Sequence, residues 1–95
     1  MEPAHPGEIL AEEFLKPMGL SQNALARGLG ISPRRINEIV QRKRRVTADT
    51  ALRLGRFFEM SAEFWMGLQM DYELDLESDR MADSLKREVK TYRAS

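Results

Sequence analysis

The 95-residue chain contains no cysteine, one histidine and one tryptophan. Without cysteine it forms no disulfide and offers no thiolate to a metal, so its fold rests on packing, in keeping with a reducing compartment. A lone imidazole, His5, brings no second histidine to a metal site and no catalytic partner for a nucleophile. Its neighbour Glu8 is a poor basis for a ligand pair, and entry into a helix is the simpler reading. The acids Glu12, Glu13 and those from Asp71 to Asp79 lack the Asp, Asn and Gly spacing of a calcium loop. No glycine-rich phosphate loop is present either, because Gly28 and Gly30 fall in a turn between helices. No apolar run reaches the length of a membrane span, and the opening Met1, Glu2, Pro3, Ala4, His5 lacks the basic flank and apolar stretch of a signal peptide. The expectation is a single soluble, cytoplasmic domain without enzymatic activity, cofactor, metal or membrane role.

Strand signals are equally scarce. Sustained period-two alternation is absent and Val, Ile and Thr are few, whereas Leu, Ala, Glu, Arg and Met are plentiful, which predicts an all-α fold. A domain this small buries roughly 60–70% of its unfolded-chain surface, so dimerisation is a natural supplement to its stability.

Charge of one sign is missing only on average. Lysine plus arginine equals aspartate plus glutamate, 15 each, for a net charge of zero. Along the chain the balance separates: residues 1–15 carry −4, residues 16–56 carry ten bases against Glu38 and Asp49 for +8, and residues 57–95 carry −4. A basic block of this density suits a polyanion; clustered arginines on a solvated surface are the plain alternative.

The apolar spacing predicts a first helix from Pro6 to about Lys16, whose stripe is Ile9, Leu10, Phe14 and Met18 or Leu15, stopped by Pro17 and Gly19. Ser21 caps a second, with Ala24, Leu25 and Leu29 inward. After a short turn, Ser32 and Pro33 open a third, running to Gln41. Two short helices so tightly joined describe a helix-turn-helix. In the third, Ile36, Ile39 and Val40 form one buried face, which turns Arg34, Glu38 and Gln41 outward with Arg35 and Asn37 on the flanks. Arg34, Arg35, Asn37 and Glu38 are the donors and acceptors that read base edges in a major groove, and a polar solvent face is the alternative.

The following loop, Arg42, Lys43, Arg44 and Arg45, suits phosphate contact, which tolerates flexible side chains. Gln22 and Asn23, in the first turn of the second helix, are further phosphate candidates, with ordinary capping as the competing role. Thr47 caps a fourth helix carrying Ala51, Leu54, Phe57 and Phe58 as a core stripe, and Ser61 caps a fifth. On the fifth, Phe64, Trp65, Leu68 and Tyr72 serve the core or a dimer interface. Their acid-rich setting argues against stacking on bases. Ser78 or Asp79 starts a further segment in which Met81, Leu85, Val89 and Tyr92 recur at helical spacing. It covers the core, joins a subunit interface or docks a partner. The expected division is a helix-turn-helix domain over 1–76 and a helical extension over 77–95.

The segments HPGEIL at 5–10, GLSQNALARGLGIS at 19–32, RINEIVQRKRRVTADTALRLGRFF at 35–58 and SAEFWMGLQMDYEL at 61–74 resemble the XRE and Cro repressor class. Within it they are similar to the HigA-type antitoxins. The resemblance covers roughly residues 5–76. It implies a five-helix, lambda repressor-like domain that binds operator DNA as a homodimer, represses its own operon and neutralises a RelE-like toxin that cleaves messenger RNA. It places the recognition helix on Pro33 to Gln41, with Gln22, Lys43 and Arg44 at the phosphates. The paired arginines of SPRRIN stand where relatives vary, so the resemblance does not carry over an operator sequence. A stand-alone repressor without a toxin and a protein-interaction module that leaves DNA untouched are the competing readings.

Overall fold

The computed structural model describes residues 4–93, which are all-helical, with no strand among the described residues. Helix α1 spans residues 6–18, where Pro6–Ile9, Leu10–Leu15 and Lys16–Met18 run together. It is followed by α2 (Gln22–Leu29), α3 (Pro33–Val40), α4 (Ala48–Phe58) and α5 (Ala62–Glu88).

Side-chain acceptors set most of the starts. Ser21 accepts from the Ala24 N–H, Ser32 from Arg35 and Ser61 from Phe64, each satisfying an amide that the first turn leaves free. Thr47 occupies the N-cap of α4 without such a bond; its hydroxyl lies 3.5 Å from that of Thr50. Gly19 and Gly30 close α1 and α2 at φ of +60° and +72°. There the Leu20 N–H reaches the Leu15 carbonyl and the Ile31 N–H that of Ala26, completing left-handed C-caps.

Three expectations are corrected. Gly28 lies inside α2 rather than in the turn between helices. Pro17 does not stop α1, which runs on to Met18. In a regular helix its ring would collide with the carbonyl four residues back. Here residues Leu10–Leu15 form a wider π-type turn, in which the Lys16 N–H reaches back five residues to Ala11. Nor does a new segment begin at Ser78 or Asp79: α5 crosses the expected 76/77 boundary without a break. No glycine or proline interrupts residues 68–88, and Arg80 donates to Glu77 across that region at 2.9 Å. The helix ends at Glu88, so Val89 and Tyr92 lie beyond it and only Met81 and Leu85 of the expected stripe sit on helical turns.

Leu10 and Leu15 of α1, Leu25 and Leu29 of α2, Ile36 and Ile39 of α3, Leu54 of α4 and Trp65 of α5 converge in one core, joined by Val46 from the loop before α4. The periodicity assigned all of these positions to buried faces except Leu15, which it left undecided, and Val46. The outer half of α5 leaves that body, and the molecule measures 56 × 26 × 22 Å.

Candidate nucleic-acid interface

The site is built on α3, whose Ile36 and Ile39 are fully buried and fix which way the rest of the helix faces. Its N-terminal end is held by Ser32 and its C-terminal end by a left-handed residue, Arg42, at φ +64°. With Arg42 in that conformation the Lys43 N–H returns to the Glu38 carbonyl at 2.8 Å. The basic loop is thereby folded back along the outward face of α3.

The four residues expected to read bases separate into two pairs with different surroundings. The Arg34 side chain is 85% exposed, and Asn37 is partly exposed on a flank. Arg35 instead turns toward α4, donating to Asp49 at 2.8 Å and to the Thr50 hydroxyl at 3.3 Å. Asp49 also accepts from Arg53 at 2.9 Å, and Arg53 donates to the Leu29 carbonyl at the end of α2 at 2.8 Å. This chain of bonds ties α2, α3 and α4 at one corner. Hydrogen bonds from Arg35 first and Arg53 second hold the Asp49 carboxyl below its ordinary pKa. Glu38 points outward yet is only 25% exposed, because guanidinium groups cover it. Its Oε1 accepts from Arg44 Nε and Nη2 at 2.9 and 2.7 Å, and its Oε2 from Arg34 Nε at 3.3 Å. Those bonds, Arg44's foremost, hold its pKa below the usual carboxylate range.

Among the expected phosphate residues, three of the four loop bases carry a carboxylate partner. Arg42 donates to Glu8 of α1 at 2.7 Å, Arg44 to Glu38, and Arg45 to Glu73 of α5 at 3.0 Å. Lys43 has no carboxylate within 4.0 Å among the described residues. Gln22 and Asn23 open α2, the first half-buried and the second exposed. The four aromatic and apolar positions of α5 divide: Trp65 is fully buried, Leu68 and Tyr72 are half-buried, and Phe64 is 41% exposed with its ring against Trp65.

The helix-turn-helix family profile matches residues 12–65, which contain α2, α3 and α4 entire. The chain belongs to the helix-turn-helix family. Virulence-associated protein I of Dichelobacter nodosus is 55% identical over 83 residues, 86% of this chain and 77% of that protein. A Pseudomonas aeruginosa protein solved in complex with its 18-bp operator DNA superposes with a TM-score of 0.93 at 44% identity, covering 99% of each chain. Pseudomonas aeruginosa antitoxin HigA, solved with the higBA promoter, gives a TM-score of 0.92 at 42% identity, covering 97% of this chain and all of that one. Its structural relatives thus include HigA antitoxins. No helix of the described residues is long and apolar enough to cross a membrane.

Within this helix-turn-helix frame, two residues that sequence reasoning passed over hold α3 and the basic loop after it. Gly7 of α1 lies so close that a Cβ there would stand 1.8 Å from the Ile39 carbonyl oxygen. Gln69 of α5, buried, accepts from the Val46 N–H at 2.7 Å and donates to Glu73 at 2.7 Å, holding the end of the basic loop. One signal was available: Glu38 and Asp49 are the only acids between residues 16 and 56, and each lies against arginines.

His5, assigned to helix entry, caps α1: its Nδ1 accepts from the Gly7 N–H at 2.9 Å, and its ring meets Tyr72 edge-on at 4.8 Å. Burial foremost, then the charge of Arg42, lowers its pKa below the ordinary 6.5, against an opposing contribution from Glu8. The unfolded chain therefore binds a proton at a pH where the folded chain does not. Stability contributed by neutral His5 is complete above pH 6.5 and is lost as pH falls through that value toward the lower folded one. Thermal melts at pH 7.5 and 5.5 are expected to show the wild type less stable in acid. His5→Asn, which retains a capping oxygen, should lose most of that difference; an equal pH dependence in both proteins counts against the assignment.

Proposed function

We propose that this protein is a homodimeric, sequence-specific DNA-binding autorepressor and the antitoxin of a toxin–antitoxin pair, neutralising a RelE-like, mRNA-cleaving toxin. Its role is binding rather than catalysis, without metal or cofactor, and it acts in the cytoplasm. The observation that carries the reading is the outward face of α3. There, exposed Arg34 stands beside Arg44 and Asn37 on a helix fixed at both ends, in a chain with 42–44% identity to proteins solved on operator or promoter DNA. Arg34 and Asn37 contact bases, since Arg pairs with guanine and Asn with adenine in the major groove. Arg35 holds α3 against α4. Lys43, Arg44, Arg42 and Arg45 face phosphates with Gln22 and Asn23; Arg42 and Arg45 exchange their carboxylate partners for the DNA backbone, and Arg44 adds a phosphate contact through its remaining N–H groups while it stays on Glu38. Residues 1–76 form the DNA-binding domain, and 77–95 extend it for a subunit or partner. Two copies set their α3 helices roughly 34 Å apart on a near-palindromic site.

Binding to a duplex from upstream of its own reading frame, against a scrambled duplex, tests the DNA role. Arg34→Ala is expected to cost about 1–3 kcal/mol on the cognate duplex and to relax preference at one position. Unchanged preference in the variant removes Arg34 from base reading. Co-expression with the adjacent gene tests the antitoxin role. Rescue of growth together with co-purification supports it, and absence of both leaves a repressor that works without a toxin.

A further inference from the structure

The basic block of residues 16–56 holds two acids, and their positions differ in kind. Asp49 lies on α4, away from the reading face, and secures the inner side of α3 through Arg35. Glu38 lies on the reading face itself, between the candidate base reader Arg34 and the candidate phosphate contact Arg44. As a base reader it would have to accept from an exocyclic amine, such as that of cytosine, with an oxygen that is free. Both of its oxygens are engaged by arginines.

We infer that Glu38 reads no base but is the positioning and selectivity residue of this face, aiming Arg34 and charging a penalty on DNA that does not match. This rests on the DNA-binding reading above. The bond from Arg34 uses Nε, which leaves both terminal nitrogens of an 85% exposed guanidinium to form two parallel bonds to one guanine. Arg44, held through Nε and Nη2 on the other oxygen, is brought from the loop to the edge of the same face. At a matching site the aimed arginine gains its base contacts and outweighs the repulsion between Glu38 and the nearby phosphates. At a mismatched site the repulsion stays and the gain is absent. The carboxylate thus reduces affinity more where the sequence is wrong, and discrimination rises without contact between Glu38 and DNA.

Glu38→Gln keeps the size of the side chain and removes the charge. Wild type and variant are titrated on the upstream duplex, on its scrambled counterpart and on single-base-pair variants of the former, at two salt concentrations, with thermal melts as a control for folding. Loss of one opposing charge is expected to tighten binding to the scrambled duplex by up to about eightfold at 0.1 M salt and to steepen the salt slope by about 0.9. The cognate-to-scrambled ratio should fall at least about tenfold, mostly at the base pair that Arg34→Ala also relaxes, with the double variant little worse than either single one. An unchanged ratio in Glu38→Gln overturns the inference. So does an equal loss on both duplexes, which marks a merely structural role, or a lost preference at a base pair that Arg34→Ala leaves intact, which marks direct reading. A wild type without preference for the upstream duplex overturns the DNA reading and this inference with it.

Discussion

Gly7→Ala is expected to destabilise the protein by about 3 kcal/mol, an overpacking cost at the upper end of the usual range. The added Cβ would stand 1.8 Å from the Ile39 carbonyl oxygen, 2.6 Å from its carbonyl carbon and 2.9 Å from the Val40 Cα, all backbone atoms that no rotamer change can move. The start of α1 and the end of α3 must therefore part. For a domain of this size that cost lowers the melting temperature by roughly 12–24 °C, measurable by circular dichroism. The displaced element carries the candidate reading face, so DNA affinity should fall at temperatures where the variant remains folded. Gly67→Ala is the matched control. That glycine also lies within a helix, but a Cβ there meets nothing within 4 Å. It should be neutral or stabilising by about 0.5–1 kcal/mol, the ordinary helix preference for alanine. Equal melting temperatures for the two variants would show that the α1–α3 approach is not tight.

Trp65→Ala carries the other large effect, about 3–5 kcal/mol, the usual cost of emptying a fully buried aromatic site. Trp65 has no exposed surface, and Phe14, Phe58 and Phe64 surround its ring, with the Phe14 centroid at 4.9 Å. It joins α5 to α1 and α4, so its loss opens the core where all three meet. A small domain with total stability of about 5–10 kcal/mol would be left near its threshold, with a broadened or absent transition at 37 °C. Trp65→Phe should cost clearly less. The indole N–H is buried without an acceptor among the described residues, and its removal offsets part of the lost volume, since such a group costs about 1–3 kcal/mol. Chemical denaturation of the three proteins orders them. A Trp65→Ala variant as stable as Trp65→Phe would place Trp65 outside the core.

Helix caps and the glycines that close α1 and α2 are local, and they were legible. Ser21, Ser32 and Ser61 cap where the sequence puts them, and Gly19 and Gly30 take the left-handed conformations that end α1 and α2. No segment starts at Ser78 or Asp79, where the sequence offered cap residues. A stretch without glycine or proline, bridged by Glu77 and Arg80, continues a helix through them. At the candidate site, periodicity correctly turned Arg34 and Glu38 outward and Ile36 and Ile39 inward, because a helix fixes direction about its own axis.

Direction is where the sequence's authority ends. Residue order by itself determined five helices, the short turn between α2 and α3, the face each helix buries and the separation of charge into −4, +8 and −4. All of these follow from neighbours within a turn or two. Only the tertiary structure decided which charges meet: Arg35 with Asp49, 14 residues away, Arg45 with Glu73, 28 away, and Arg42 with Glu8, 34 away. A helical period gives the angle at which a side chain leaves its helix and says nothing of what stands opposite. That depends on how five separate faces close on one core, and the closure set Arg35 on Asp49 of α4 and Glu38 between Arg34 and Arg44.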